Sequence, residues 1–148
     1  MAQAGLAPPA SNAAQAQDAI AIIGIAGKFP GATDLDDFWQ QLQDNRDMIG
    51  EVPPQRWDWR EIYGDPQAQP GKTRIKWGGF VADADCFDAR FFGISPAEAE
   101  AMDPPLRMFI ETVWAALEDA GCRPASLAGS KTGVFVGVAT ADYKELLN

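Results

Sequence analysis

The chain has 148 residues, 47% of them hydrophobic and 22% charged, enough for one globular domain with a core or for part of a larger one. Twenty-one acidic against twelve basic residues leave a net charge of -9 with no basic run, which argues against nucleic acid as a partner, because a phosphate backbone would be repelled. There is no histidine, so this chain alone cannot assemble a Ser-His or Cys-His pair, an imidazole general base or the usual zinc sites.

No apolar stretch approaches the roughly eighteen residues of a membrane span, and the N-terminus lacks the basic-then-apolar order of a signal peptide. A cytoplasmic protein without a membrane partner is the expectation. Cys86 and Cys122 are isolated and form no C-x-x-C motif, which suits reduced, structurally buried thiols better than a disulfide framework.

Residues 1–17, "MAQAGLAPPASNAAQAQ", carry no charged side chain and no sustained apolar face, and are read as a flexible leader or linker. From Asp18 the composition changes, and Ile20, Ile22, Ile23 and Ile25 form a β-branched run without strict alternation, as in a strand covered on both faces. The glycines that follow, Gly24, Gly27 and Gly31, read G-x-x-G-x-x-x-G. This meets neither the dinucleotide fingerprint nor the P-loop, because position 29 is Phe and no hydroxyl follows Lys28. A strand leaving its sheet through a tight turn at Pro30 and Gly31 is the reading.

Thr33 is the predicted N-cap of an amphipathic helix over about 34–45, with Leu35, Phe38, Trp39 and Leu42 at i, i+3, i+4, i+7. Asp34, Asp36 and Asp37 are assigned to the positive end of that helix rather than to a metal. Residues 46–82 are broken by Pro53, Pro54, Pro66, Pro70, Gly64, Gly71, Gly78 and Gly79, so long regular elements are not expected there. Trp57, Trp59, Tyr63 and Trp77 should pin this excursion to a surface. Arg56, Arg60, Lys72, Arg74 and Lys76 interleave with them as in a single-strand nucleic-acid platform, a likeness that the acidic whole-chain charge opposes.

Asp83, Asp85 and Asp88 do not follow the calcium-loop pattern and are read as a solvated turn before Phe87, Phe91 and Phe92. Ser95-Pro96-Ala97-Glu98 is a capping box that opens a short helix. Asp103 and Pro104 end it and start another, in which Leu106, Phe109, Ile110, Val113 and Leu117 share a face and Gly121 closes the C-terminus. Met102, Met108 and Phe109 are read as core at helical spacing. "KTGVFVGVAT", residues 131–140, is a second predicted buried strand, and Tyr143, Leu146 and Leu147 begin an amphipathic segment.

Strand, helix, long insertion, helix, strand is an α/β order in which a crossover joins two buried strands, so a mostly parallel sheet with flanking helices is expected. Two strands do not complete such a sheet, which therefore wants the rest of its own domain or a second chain.

In order, "DAIAIIGIAGKFPGATDLDDFWQQLQDNRDMI", "VPPQRWDWREIYGDP", "WGGFVADADCFDARFFGISPAEAEAMDP", "ETVWAALEDAG" and "KTGVFVGVATADY" resemble the N-terminal stretch of a β-ketoacyl synthase (ketosynthase) domain of a modular polyketide synthase. The resemblance covers about residues 18–148, and F-F-G-I-S-P-x-E-A-x-x-M-D-P at 91–104 is its most specific motif. The "QRWDWREIYGDP" wording resembles synthases whose acyltransferase is a separate protein.

The resemblance implies the N-terminal portion of a thiolase-like fold, with 18–148 an incomplete ketosynthase segment. It implies decarboxylative Claisen condensation of acyl groups carried on the phosphopantetheine arms of acyl carrier proteins, by a domain that is usually a homodimer. The partners implied are the remainder of the domain and the carrier protein.

The reactive groups of that family are a cysteine in a T-A-C-S-S context, at a helix N-terminus that favours thiolate and oxyanion, and two histidines. None can be carried over. Cys86 stands in "DADCFDA", Cys122 in "DAGCRPA", and histidine is lacking. Pro105 and Leu106 replace the Gln-Gln that the family more often has before its arginine, a change expected to alter the helix entry. The expected catalytic, cofactor-binding and metal-ligand sets are therefore empty, no cofactor is expected to be bound by this chain, and the chain by itself is expected to be inert. The alternatives are a non-catalytic docking module derived from a ketosynthase and working through residues 46–82, and, more distantly, a nucleotide-binding α/β protein.

Overall fold

A computed structural model describes residues 19–139 and Tyr143; the predicted leader over 1–17 and the predicted amphipathic residues Leu146 and Leu147 lie outside the described residues. The elements in chain order are α1 (Leu35–Gln43), β1 (Gly50–Glu51), α2 (Trp59–Ile62), β2 (Trp77–Gly78), α3 (Pro96–Ala101) and α4 (Pro104–Asp119), followed by a 3-10 turn at Pro124–Leu127.

The helix signals are local, and the structure bears most of them out. Ser95 Oγ accepts the Glu98 N–H at 3.3 Å with Pro96 in the first turn of α3, as the capping box requires. α4 takes both Pro104 and Pro105 into its first turn and runs unbroken to Asp119, so the departure at 105 and 106 does not disturb the helix entry. At its far end the Gly121 N–H reaches the Glu118 carbonyl at 2.9 Å and the Cys122 N–H the Leu117 carbonyl at 2.8 Å, a Schellman closure with Gly121 at φ 63°.

α1 is shorter than predicted. Its cap is Asp34 rather than Thr33: Asp34 has the extended backbone of a cap, and its Oδ1 accepts the Asp37 N–H at 2.8 Å. The Thr33 N–H is itself a donor, to Asp37 Oδ2 at 3.0 Å. Before the helix the chain turns through Ala32 N–H to Phe29 C=O at 3.3 Å, and Phe29 stacks on Phe38 with centroids 3.9 Å apart.

The two predicted buried strands are not observed. Among the described residues, 19–28 and 131–139 make no backbone–backbone hydrogen bond, and most of their side chains are exposed, with Ile20 at 96% and Phe135 at 97%. The ladder that does form is antiparallel and two residues long, Gly50 opposite Gly78 and Glu51 opposite Trp77. The physical reason is that a strand's backbone is satisfied only by another strand, and the described chain brings no such partner to either segment.

The core is correspondingly thin. Among the described residues, Val52 and Ala99 are the buried apolar side chains and Gln41 is the buried polar one. Met102, Met108 and Phe109, expected in a core, are half-buried, as is Cys122, while Cys86 is exposed. The aromatics do the pinning: Phe87 stacks on Phe92, and Phe91 and Phe92 meet Trp114 edge-on at 4.8 and 6.3 Å, which fastens residues 87–92 to α4.

Candidate functional site

The excursion from β1 to β2 is built around one ammonium group. Lys76 Nζ lies 4.5 Å from the ring centroid of Trp59, 4.9 Å from that of Trp77 and 5.8 Å from that of Tyr63, and pairs with Glu51 Oε1 at 2.7 Å. The backbone beneath it is held by Val52 N–H to the Lys76 carbonyl at 2.9 Å and by the bridge between Tyr63 and Thr73. The other bases are also engaged. Arg56 donates to the Val81 carbonyl at 3.2 Å, Arg60 stacks on Trp59 at 4.8 Å, Lys72 donates to the Glu61 carbonyl at 2.6 Å, and Arg74 pairs with Asp65 at 2.7 Å. The interleaving of bases and aromatics seen in the sequence is thus an internal cation–π and hydrogen-bond network. Its cations are turned to this chain's own rings, carbonyls and carboxylates.

Beside it opens a cleft of about 800 Å³ with Ala32, Pro53, Phe80 and Val81 in its walls and Arg56, Asp83 and Asp85 among its lining residues. Its lining offers the Thr33 hydroxyl, the Arg56 guanidinium and two carboxylates, and holds neither cysteine nor serine. Asp83, at φ 51°, receives the Cys86 N–H on its carbonyl, and Asp88 Oδ1 accepts the Phe91 N–H at 3.0 Å, which places the acid-rich segment in turns as expected.

α4 is the platform for both unpaired apolar segments. Phe109, Ala116 and Ala120, at i, i+7 and i+11, lie on one stripe. At the C-terminal half of that stripe Gly24 abuts Ala116 and Ala120, the Ile25 N–H donates to Asp119 Oδ2 at 2.8 Å, and Lys28 pairs with Glu111. At the N-terminal half, Val136 and Val138 close a groove of about 400 Å³ with Pro105, Leu106 and Phe109.

The two thiols are far from what a condensing nucleophile needs. Cys86 sits in a turn, and Cys122 follows the C-terminus of α4, the negative end of the helix dipole, with its Sγ 3.7 Å from the Ala120 carbonyl. Asp34 and Asp37 act as capping ligands. The Thr33 N–H and the Gln41 side chain, with lesser help from the Thr33 hydroxyl and the charge of Arg46, hold the Asp37 carboxyl below the ordinary aspartate value against the opposing effect of burial. Gln41, which also donates to the Gly31 carbonyl at 2.6 Å, was not anticipated from sequence; its only signal is the i, i+4 spacing from Asp37. Among the described residues no three His, Cys, Asp or Glu side chains are grouped to hold a metal, and no helix is long and apolar enough to cross a membrane.

The sequence profile described as "Beta-ketoacyl synthase, N-terminal domain" matches residues 17–148. The chain belongs to the β-ketoacyl synthase family. This ketosynthase segment is 46% identical over 141 residues to the polyketide synthase PksN of Bacillus subtilis, covering 95% of the chain and 3% of that protein. It is 49% identical over 137 residues to the polyketide synthase ThaG of Burkholderia thailandensis, covering 92% of the chain and 2% of that protein. Among solved structures it is similar to the ketosynthase domain KS7 of OzmH, from the oxazolomycin system of Streptomyces albus JA3453, at TM-score 0.75 and 45% identity over 85% of this chain and 23% of that one. The molecule is therefore a ketosynthase N-terminal segment of the polyketide-synthase type with a partial thiolase-like α/β fold, and it spans a small part of the length of the proteins it matches.

Proposed function

We propose that residues 18–148 are framework of a polyketide-synthase ketosynthase, preceded by a leader over 1–17, and that the reactive groups come from elsewhere in the complete domain. The complete domain joins acyl chains by decarboxylative Claisen condensation. It takes its substrates as thioesters on phosphopantetheine arms of acyl carrier proteins, and it works as a cytoplasmic homodimer. Residues 20–25 and 131–139 become strands of a mostly parallel sheet when neighbouring strands supply the missing ladder. Neither Cys86 nor Cys122 is the nucleophile, no residue of this chain is catalytic or binds a cofactor or metal, and the chain alone is inert.

The observation that carries this reading is the family match over 17–148 joined to a chain with no histidine and no thiol at a helix N-terminus. A docking module working through 46–82 has less support, since the excursion's bases are engaged by its own groups.

The test fuses this chain to the part of the OzmH KS7 domain that it does not cover and presents both the fusion and the chain alone with acyl and malonyl carrier-protein thioesters. The fusion is expected to be acylated and to release carbon dioxide, and the chain alone to do neither. Turnover by the chain alone, or a folded dimeric fusion that takes no acyl group, overturns the reading.

A further inference from the structure

Three rings and a carboxylate from three elements converge on one point: Trp59 from α2, Tyr63 at the end of that helix, Trp77 from β2 and Glu51 from β1. Aromatic faces carry negative potential, and with a carboxylate beside them they select an organic ammonium over a metal ion, which would want several oxygens. The cage is closed from within, because Lys76 adjoins Trp77 in sequence and its side chain remains only 23% exposed. Its walls are open outside, with Trp77 and Tyr63 about half in solvent.

We propose that Glu51, Trp59, Tyr63 and Trp77 form an organic-cation site, occupied by the chain's own Lys76, whose filling fastens the excursion between β1 and β2. The ammonium is the fastening part: it draws α2 and its trailing tyrosine onto the two-stranded ladder, which by itself is too short to be stable. Vacating the cage loosens residues 56–74 and leaves a site for a free tetraalkylammonium or alkylammonium ion. This inference rests on the cage geometry and does not depend on the ketosynthase reading.

The experiment uses the full chain as wild type, K76A, K76R and the double variant E51Q/K76A. Tryptic cleavage after Lys72 and Arg74 is followed with tetramethylammonium chloride, with sodium chloride at equal ionic strength, and with tert-butanol as an uncharged isostere. K76A is expected to be cut about three- to tenfold faster than wild type, and tetramethylammonium at roughly 50 mM to restore most of the protection. Sodium chloride and tert-butanol are expected not to do so. K76R should digest like wild type, and E51Q/K76A should be rescued less well. Tryptophan fluorescence should respond saturably to tetramethylammonium in K76A and not in wild type. Digestion of K76A at the wild-type rate, equal protection by sodium chloride, or a loss of structure in K76A that tetramethylammonium does not reverse would each overturn the proposal.

Discussion

Gly24 lies against Ala120 so closely that a Cβ on the glycine would stand 2.7 Å from the Ala120 Cβ, inside any allowed contact. The backbone at Gly24 therefore meets α4 directly, and the next residue, Ile25, continues the contact through Asp119.

Replacing Gly24 by Ala should separate the segment from α4. The expected cost is about 1–3 kcal/mol, as for overpacking elsewhere, read as a lower denaturation midpoint by circular dichroism. An unchanged midpoint would mean that the segment does not rest on α4.

Gly121 holds the Schellman closure of α4 at φ 63°, where a Cβ is strained. Gly121→Ala should destabilise the chain by about 1 kcal/mol, with fraying at the C-terminal turn seen as faster amide exchange at Cys122. Exchange unchanged at that amide would contradict the closure.

Asp37 gives a pH dependence of known sign. Because its carboxyl is held below the ordinary value, chiefly by the Thr33 N–H and the Gln41 side chain, it binds its proton less readily folded than unfolded. Its contribution is complete above the ordinary aspartate pKa of about 4 and is lost as pH falls through the lowered folded value. Asp37→Asn should flatten the acid limb of the stability profile over that range and leave the slope at pH 6 unchanged. An acid limb of the same steepness would show that other carboxylates carry it.

The uncharged apolar segments around Ile22 and Phe135, with unpaired backbone and solvent-exposed side chains, are templates for pairing between copies. Ile22→Lys and Phe135→Lys should reduce self-association of the isolated chain in sedimentation velocity while leaving its helix signal intact. Equal association of wild type and the double variant would assign it to another surface.

Where a cause lies within a few residues, sequence reading and structure agree: the Ser95 cap, the stop at Asp103, the proline start of α4 and its glycine end. Thr33 against Asp34 shows the limit of such reasoning, because adjacent residues both carry capping oxygens and only the backbone angle at Asp34 selects one. For the excursion, the alternation of bases and rings was legible, but not its direction. Whether Lys76 faces a ligand or its own rings depends on α2 folding back onto β2. The lack of histidine was a matter of residue types, while the exposure of Cys86 was not legible at all.

Helix starts and stops, the lack of histidine chemistry and the family wording were written in the sequence, since each depends on neighbours within a turn or on which side chains exist. The tertiary structure decided that Gly24 and residues 136–139 lie along α4, that five bases are engaged internally, and that the expected strands stand without a ladder. Such features require groups distant along the chain to meet, and hydrophobic run length says that a segment can be covered without saying by what.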